Sequence, residues 1–194
     1  MCILFSLIVL LLPVTATVAQ STAAPTPTAP KAELAFTYNW VRTNAPPADC
    51  GCFNMNGGSV SFAYHFKPSW AVVAEAGAVA NTNVNSTGRD LGLIQFLAGG
   101  RYTYANHSRL QPFGQALLGD VHAAGTLAPS QIGLSSSDAF ALAAGGGLDI
   151  NLSPHLALRA IQADYYLTLL PNRTSNSQDN LRLAAGIIFR FGHK

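Results

Sequence analysis

Between Ala32 and the C-terminus, apolar residues recur at every second position rather than at helical spacing, a pattern that predicts about eight β-strands. The last segment is the clearest. Leu181, Leu183, Ala185, Ile187, Phe189 and Phe191 share one strand face, and Arg182, Ala184, Gly186, Ile188 and Arg190 share the other. A water-soluble sheet would bury the first face. Behind an export signal, a run of such strands instead fits a barrel with a lipid-facing wall and a polar interior. The expected fold is all-β: an eight-stranded antiparallel up-and-down transmembrane β-barrel.

The remaining segments follow the same rule. Glu33 to Thr43 sets Leu34, Phe36, Tyr38 and Trp40 against Ala35, Thr37, Asn39 and Val41, and Ser59 to Lys67 sets Val60, Phe62, Tyr64 and Phe66 against Ser59, Ser61, Ala63 and His65. Lys67-Pro68-Ser69-Trp70 turns tightly into Ala71 to Ala80, since proline fixes a turn dihedral and cannot extend a ladder. Leu91 to Tyr104 sends Phe96, Ala98 and Tyr102 outward and Gln95, Leu97 and Arg101 inward; Ala139 to Ile150 turns Phe140, Leu142 and Leu148 outward and small residues with Asp149 inward. Two segments resist this treatment. In Gln111 to His122 the polar Gln115 and Asp120 have opposite parity, which calls for a bulge, and in Leu156 to Leu167 so do Arg159 and Asp164.

Long polar stretches at Asn44 to Gly58, Asn81 to Asp90, Ala123 to Asp138 and Pro171 to Asn180 alternate with short turns near Pro68, Asn106 and Ser153. Long connections outside and short ones inside are the asymmetry of this barrel class, and both ends then fall in the periplasm. Residues 1–19 read as a signal peptide, an apolar stretch closed by Thr17-Val18-Ala19, with a retained anchor as the alternative because no Lys or Arg precedes it. Residues 20–31, rich in Pro, Thr and Ala, form an extended leader, and residues 32–194 the barrel domain. The protein is therefore expected in the outer membrane of a bacterial cell.

Composition agrees with a lipid-facing protein. Charged residues make up 10% of the chain, against about 25% in soluble domains. The net charge of +2 and scattered Lys and Arg give no basic patch, so nucleic acid is not an expected partner. With this strand pattern and the ending Gly186-Ile187-Ile188-Phe189-Arg190-Phe191, the chain resembles the small bacterial outer-membrane β-barrel proteins related to the transmembrane domain of outer membrane protein A. That resemblance implies contact with outer-membrane lipid and recognition by the barrel assembly machinery through a terminal aromatic, with Phe189 and Phe191 as the signal. Gly192-His193-Lys194 after it departs from the family's ending. The resemblance does not imply a cell-wall tether, because no peptidoglycan-binding domain accompanies the pattern.

An eight-stranded lumen is packed with side chains, and charges within it must be paired. Glu75, Arg101, Asp149, Arg159, Asp164, Arg182 and Arg190 are the candidates for a lumen ion network, with Glu75 and Arg101 on neighbouring strands. Such a network is structural, or it gates a narrow conduction path. Cys50 and Cys52 lie in the first long connection, where a disulfide, free redox-active thiols or a metal site are the alternatives, and Phe53, Met55 and Gly57-Gly58 beside them suggest a surface contact. No cofactor and no catalytic residue is assigned. Asp120 and His122, on one face near an outer rim, would need a third partner such as Ser135, Ser136 or Ser137 to act as an enzyme on lipid or peptide. The expected function is a non-enzymatic outer-membrane barrel serving envelope integrity or surface interaction through its extracellular loops. A narrow pore, that enzyme, and a soluble lipocalin-like ligand-binding barrel are the alternatives, and any surface ligand is unidentified.

Overall fold

Strict alternation gives a sheet two unlike faces, and in the computed structural model that sheet closes on itself. The structure describes residues 30–43, 51–104, 108–126, 136–170 and 176–193. The strands are β1 (Pro30–Thr43), β2 (Phe53–Lys67), β3 (Trp70–Asn81), β4 (Leu91–Thr103), β5 (Leu110–Ala124), β6 (Ser136–Asn151), β7 (Leu156–Thr168) and β8 (Gln178–His193). Each pairs antiparallel with its neighbours in sequence, and β1 pairs with β8 to close the ring, Glu33 opposite Arg190. Closure removes the two unpaired edges an open sheet would expose. The expected signal peptide and most of the leader lie outside the described residues; β1 itself begins at Pro30, inside the leader stretch.

The faces divide as the alternation requires. Phe36, Phe62, Phe96, Leu118, Ile187 and other large apolar side chains stand exposed on the outer wall, Phe96 at 63%, whereas Arg101, Arg159 and Arg182 are each 1% exposed inside. That distribution is the inverse of a soluble ligand-binding barrel, and the lipocalin-like alternative fails on it. Connections at 44–52, 82–90, 125–135 and 169–177 leave one end, and shorter ones at 68–69, 104–109 and 152–155 leave the other, which also holds Pro30 and His193.

Two strands, β2 and β5, differ from the sequence reading. β2 starts at Phe53 rather than Ser59, and Phe53 and Met55 are buried in the lumen, so they offer no surface contact. Gly57 is likewise within the strand, where β3 comes so close that a Cβ would stand 2.7 Å from the Val79 Cα. β5 keeps unbroken register with both neighbours; no bulge exists, and Asp120 points to the outside. The bulge lies in β7, where register with β8 shifts between Arg159 and Gln162. Ala160 and Ile161 both face out there, which lets Arg159 and Asp164 both face in.

The lumen is filled in two zones. Toward the long connections, Val41, Met55, Leu93, Leu117, Val121 and Tyr166 belong to one apolar cluster, capped by Val84 from a short 3-10 turn, Val84–Ser86. The same cluster runs on to Ala63, Ala71 and Val73 near the short turns, and a polar zone fills the lumen beside it.

Candidate functional site

The polar zone contains as many arginines as carboxylates: Arg101, Arg159, Arg182 and Arg190 with Glu33, Glu75, Asp149 and Asp164, all buried. Arg182 on β8 binds Asp164 on β7 at 2.9 Å through Nε and 2.7 Å through Nη2, and reaches across the lumen through Nη1 to Glu75 on β3. Gln95 donates to Glu75 at 3.1 Å, and Gln162 to Asp164 at 2.6 Å. Closer to the short turns, Arg159 grips Asp149 bidentately at 2.9 and 3.1 Å, the planar fork matching the carboxylate. Arg190 donates to Glu33 at 2.8 Å, to Gln111 at 3.3 Å and also to Asn151.

Glu75 and Arg101, neighbours by strand order, form no ion pair. Register sets Arg101 opposite Ala71, four positions along β3 from Glu75. Arg101 instead donates to Gln115 at 3.1 and 2.9 Å and stands 3.8 Å from Glu33. Arg101 and Arg159 also lie over the ring of Phe113, 4.9 and 4.5 Å from its centroid, so two cations share one aromatic face system. Glu33 and His65 were missed as members: the Glu33 carboxylate joins Arg190 and Arg101, and His65 Nε2 stands 3.5 Å from it without hydrogen-bond geometry. Their parity carried the signal, since Glu33 alternates with the inward Ala35 and His65 with the inward Ala63.

Asp120 and His122 lie on the outer wall, toward the end with the long connections. His122 Nδ1 meets Asp138 of β6 at 2.6 Å, a partner the sequence reading did not name. Ser137 is 5% exposed on the opposite, inward face, so it cannot serve His122, and Ser136 takes the register position beside Ala124. Ser135 lies outside the described residues. Among the described residues, no group of three His, Cys, Asp or Glu side chains could hold a metal ion.

Cys52 is disulfide-bonded; Cys50 lies outside the described residues. Phe189 and Phe191 both face the outer wall, Phe189 meeting Phe36 edge-on at 6.2 Å, and β8 runs on through Gly192, whose φ of +64° favours glycine. At the opposite end, the 82–90 and 125–135 connections are stapled together. The Asp90 amide donates to the Thr126 hydroxyl at 2.8 Å, and that hydroxyl donates to the Asp90 carboxylate at 2.7 Å. The Thr126 hydroxyl and amide hold the Asp90 carboxyl below the usual range.

The model of the outer membrane protein beta-barrel domain matches residues 8–189. No curated protein matches the chain. Among solved structures, Neisserial surface protein A is similar at a TM-score of 0.63 and 16% identity, over 83% of this chain and 97% of that one. Ail, the attachment invasion locus protein of Yersinia pestis, is similar at 0.58 and 19%, over 84% and 99%. The outer membrane protein OprG from Pseudomonas aeruginosa is similar at 0.52 and 12%, over 88% and 100%. At these identities the likeness is one of fold.

Proposed function

Because this chain belongs to the outer membrane protein beta-barrel domain family, and so resides in the bacterial outer membrane, we propose that it is a non-enzymatic wall component that supports envelope integrity and makes surface contacts through its long connections. The filled lumen carries this reading. An ion network of Glu75, Arg101, Asp149, Arg159, Asp164, Arg182 and Arg190 lies beside an apolar cluster that fills the rest of the lumen, which leaves the outer wall to lipid and the connections to other partners. In this role the network is structural rather than a gate. Phe189 and Phe191 serve as the signal presented to the assembly machinery.

One structural neighbour, Ail, was crystallised with the heparin analogue sucrose octasulfate. A sulfated ligand does not suit the described outer rim of this chain, where Asp90, Asp120, Asp138 and Asp179 are exposed beside only Arg42 and Arg89. The surface partner is better sought among neutral or cationic groups. The test is a gene deletion scored separately for detergent sensitivity and surface adherence. Complementation by a barrel whose long connections are replaced with Gly-Ser segments should restore detergent resistance and not adherence. Unchanged resistance and adherence in the deletion strain would overturn the proposal.

A further inference from the structure

The charges outside the lumen are sorted by end. Among the described residues, the rim at the short turns exposes Lys31, Lys67 and Arg109 and no carboxylate, while every exposed Asp lies toward the long connections. None of the three cations has a carboxylate within ion-pair distance among the described residues; the lumen carboxylates are taken up by arginines deeper in. Two of them stand near each other at the paired ends of β1 and β2, and the third stands elsewhere on the ring. Lys31 follows Pro30 at the start of β1, exposed at the mouth of the barrel on the parity of Glu33, Lys67 closes β2 and pairs in register with Trp70, and the Arg109 carbonyl accepts from the Asn151 amide at 2.8 Å, next to the turn after β6. Aromatic side chains mark the depth. Trp70 meets Tyr102 at 5.0 Å between ring centroids, and Tyr104 is exposed beside them, as expected where a wall passes from acyl chains to headgroups.

Three cations at headgroup depth, unpaired among the described residues, create a positive potential where the periplasmic leaflet begins. We propose that this rim selects anionic phospholipid headgroups of that leaflet, such as phosphatidylglycerol, over zwitterionic ones. The preference is electrostatic and distributed over the ring, so it falls with ionic strength and scales with the number of cations. Each is worth about fivefold in preference for an anionic surface. The opposite end lacks this capacity, because its aspartates outnumber its two exposed described arginines.

The two tryptophans read the two ends separately. Trp70 stands at the cationic rim, and Trp40 lies on the outer wall three residues before the end of β1, toward the long connections. Folded barrel is placed in bilayer nanodiscs of phosphatidylcholine containing brominated phosphatidylglycerol, or brominated phosphatidylcholine at equal mole fraction, and quenching is read in Trp40→Phe and Trp70→Phe variants. Brominated phosphatidylglycerol should quench Trp70 several-fold more than the zwitterionic probe does, with no such difference at Trp40. The Trp70 difference should fade at high salt and vanish in Lys31→Gln/Lys67→Gln/Arg109→Gln. Equal quenching of Trp70 by both probes overturns the proposal, as does a preference that survives the triple substitution. Salt-sensitive capture of soluble muropeptides together with equal quenching would overturn it in favour of the cell wall. The lipid contrast at Trp70 in the Trp40→Phe barrel decides the matter even if the triple variant folds poorly.

Discussion

At the residue scale, alternation says which face a charge takes but not whom it meets. Arg182 and Arg190 are inward by parity, yet the partners of Arg182 come from β7 and from β3 across the lumen, a closure distance no local pattern encodes. Arg182→Met should therefore be costly, because Glu75 and Asp164 remain buried without their cation. The expected loss is about 3–5 kcal/mol, read from urea unfolding in lipid vesicles. Arg42→Ala, which removes only an exposed 2.9 Å bond to Asn54, should stay within about 0.5 kcal/mol. At Asp90 the carboxyl is held low by Thr126, so its bonds are intact above the ordinary value of about 3.9 and are lost as pH falls through the lower folded value. Thr126→Val should raise the Asp90 midpoint toward the ordinary value in a carboxyl NMR titration. A midpoint that does not move would disconnect the staple from the shift.

At the scale of elements, the strands could be read from period two alone, and most of their boundaries to within three residues. β2 was the exception for a physical reason: Asn54, Asn56, Gly57 and Gly58 are turn formers, and the inward side chains between them, Phe53 and Met55, are apolar. Phe53 and Met55 belong to the apolar cluster of the lumen, so the polar-inside rule that located the other strands fails at the start of β2. The β7 bulge was signalled by the clash of parity between Arg159 and Asp164, whereas the similar clash in β5 meant only that Asp120 faces outward. Deleting Ile161 would remove the bulge and leave Arg159 and Asp164 four positions apart, both inward on a regular strand. The folded band on unheated gels should therefore survive the deletion; its loss would mean that the bulge itself, and not the parity it restores, is required. Gly147→Leu tests the other side of this region. A Cβ at Gly147 would lie 2.8 Å from the Phe113 ring that carries Arg101 and Arg159, and overpacking of this kind costs about 1–3 kcal/mol.

At the scale of the molecule, a closed wall around a filled lumen predicts two behaviours. The protein should migrate differently on gels before and after boiling, since the barrel has no free edge from which to unravel in detergent. Well-folded protein in planar bilayers should give no channel steps; discrete steps would mean that the apolar cluster and ion network open, contrary to the structural role assigned to them. The seam of the wall has a further consequence. Glu33 and Arg190 join strands 157 positions apart in the chain, so their bond cannot form until β8 has been delivered. A nascent chain holding fewer strands has nothing to seal against. Timing is thereby written into the topology: the polypeptide must travel unsealed, and the arrival of its final strand is the event that commits it to the membrane.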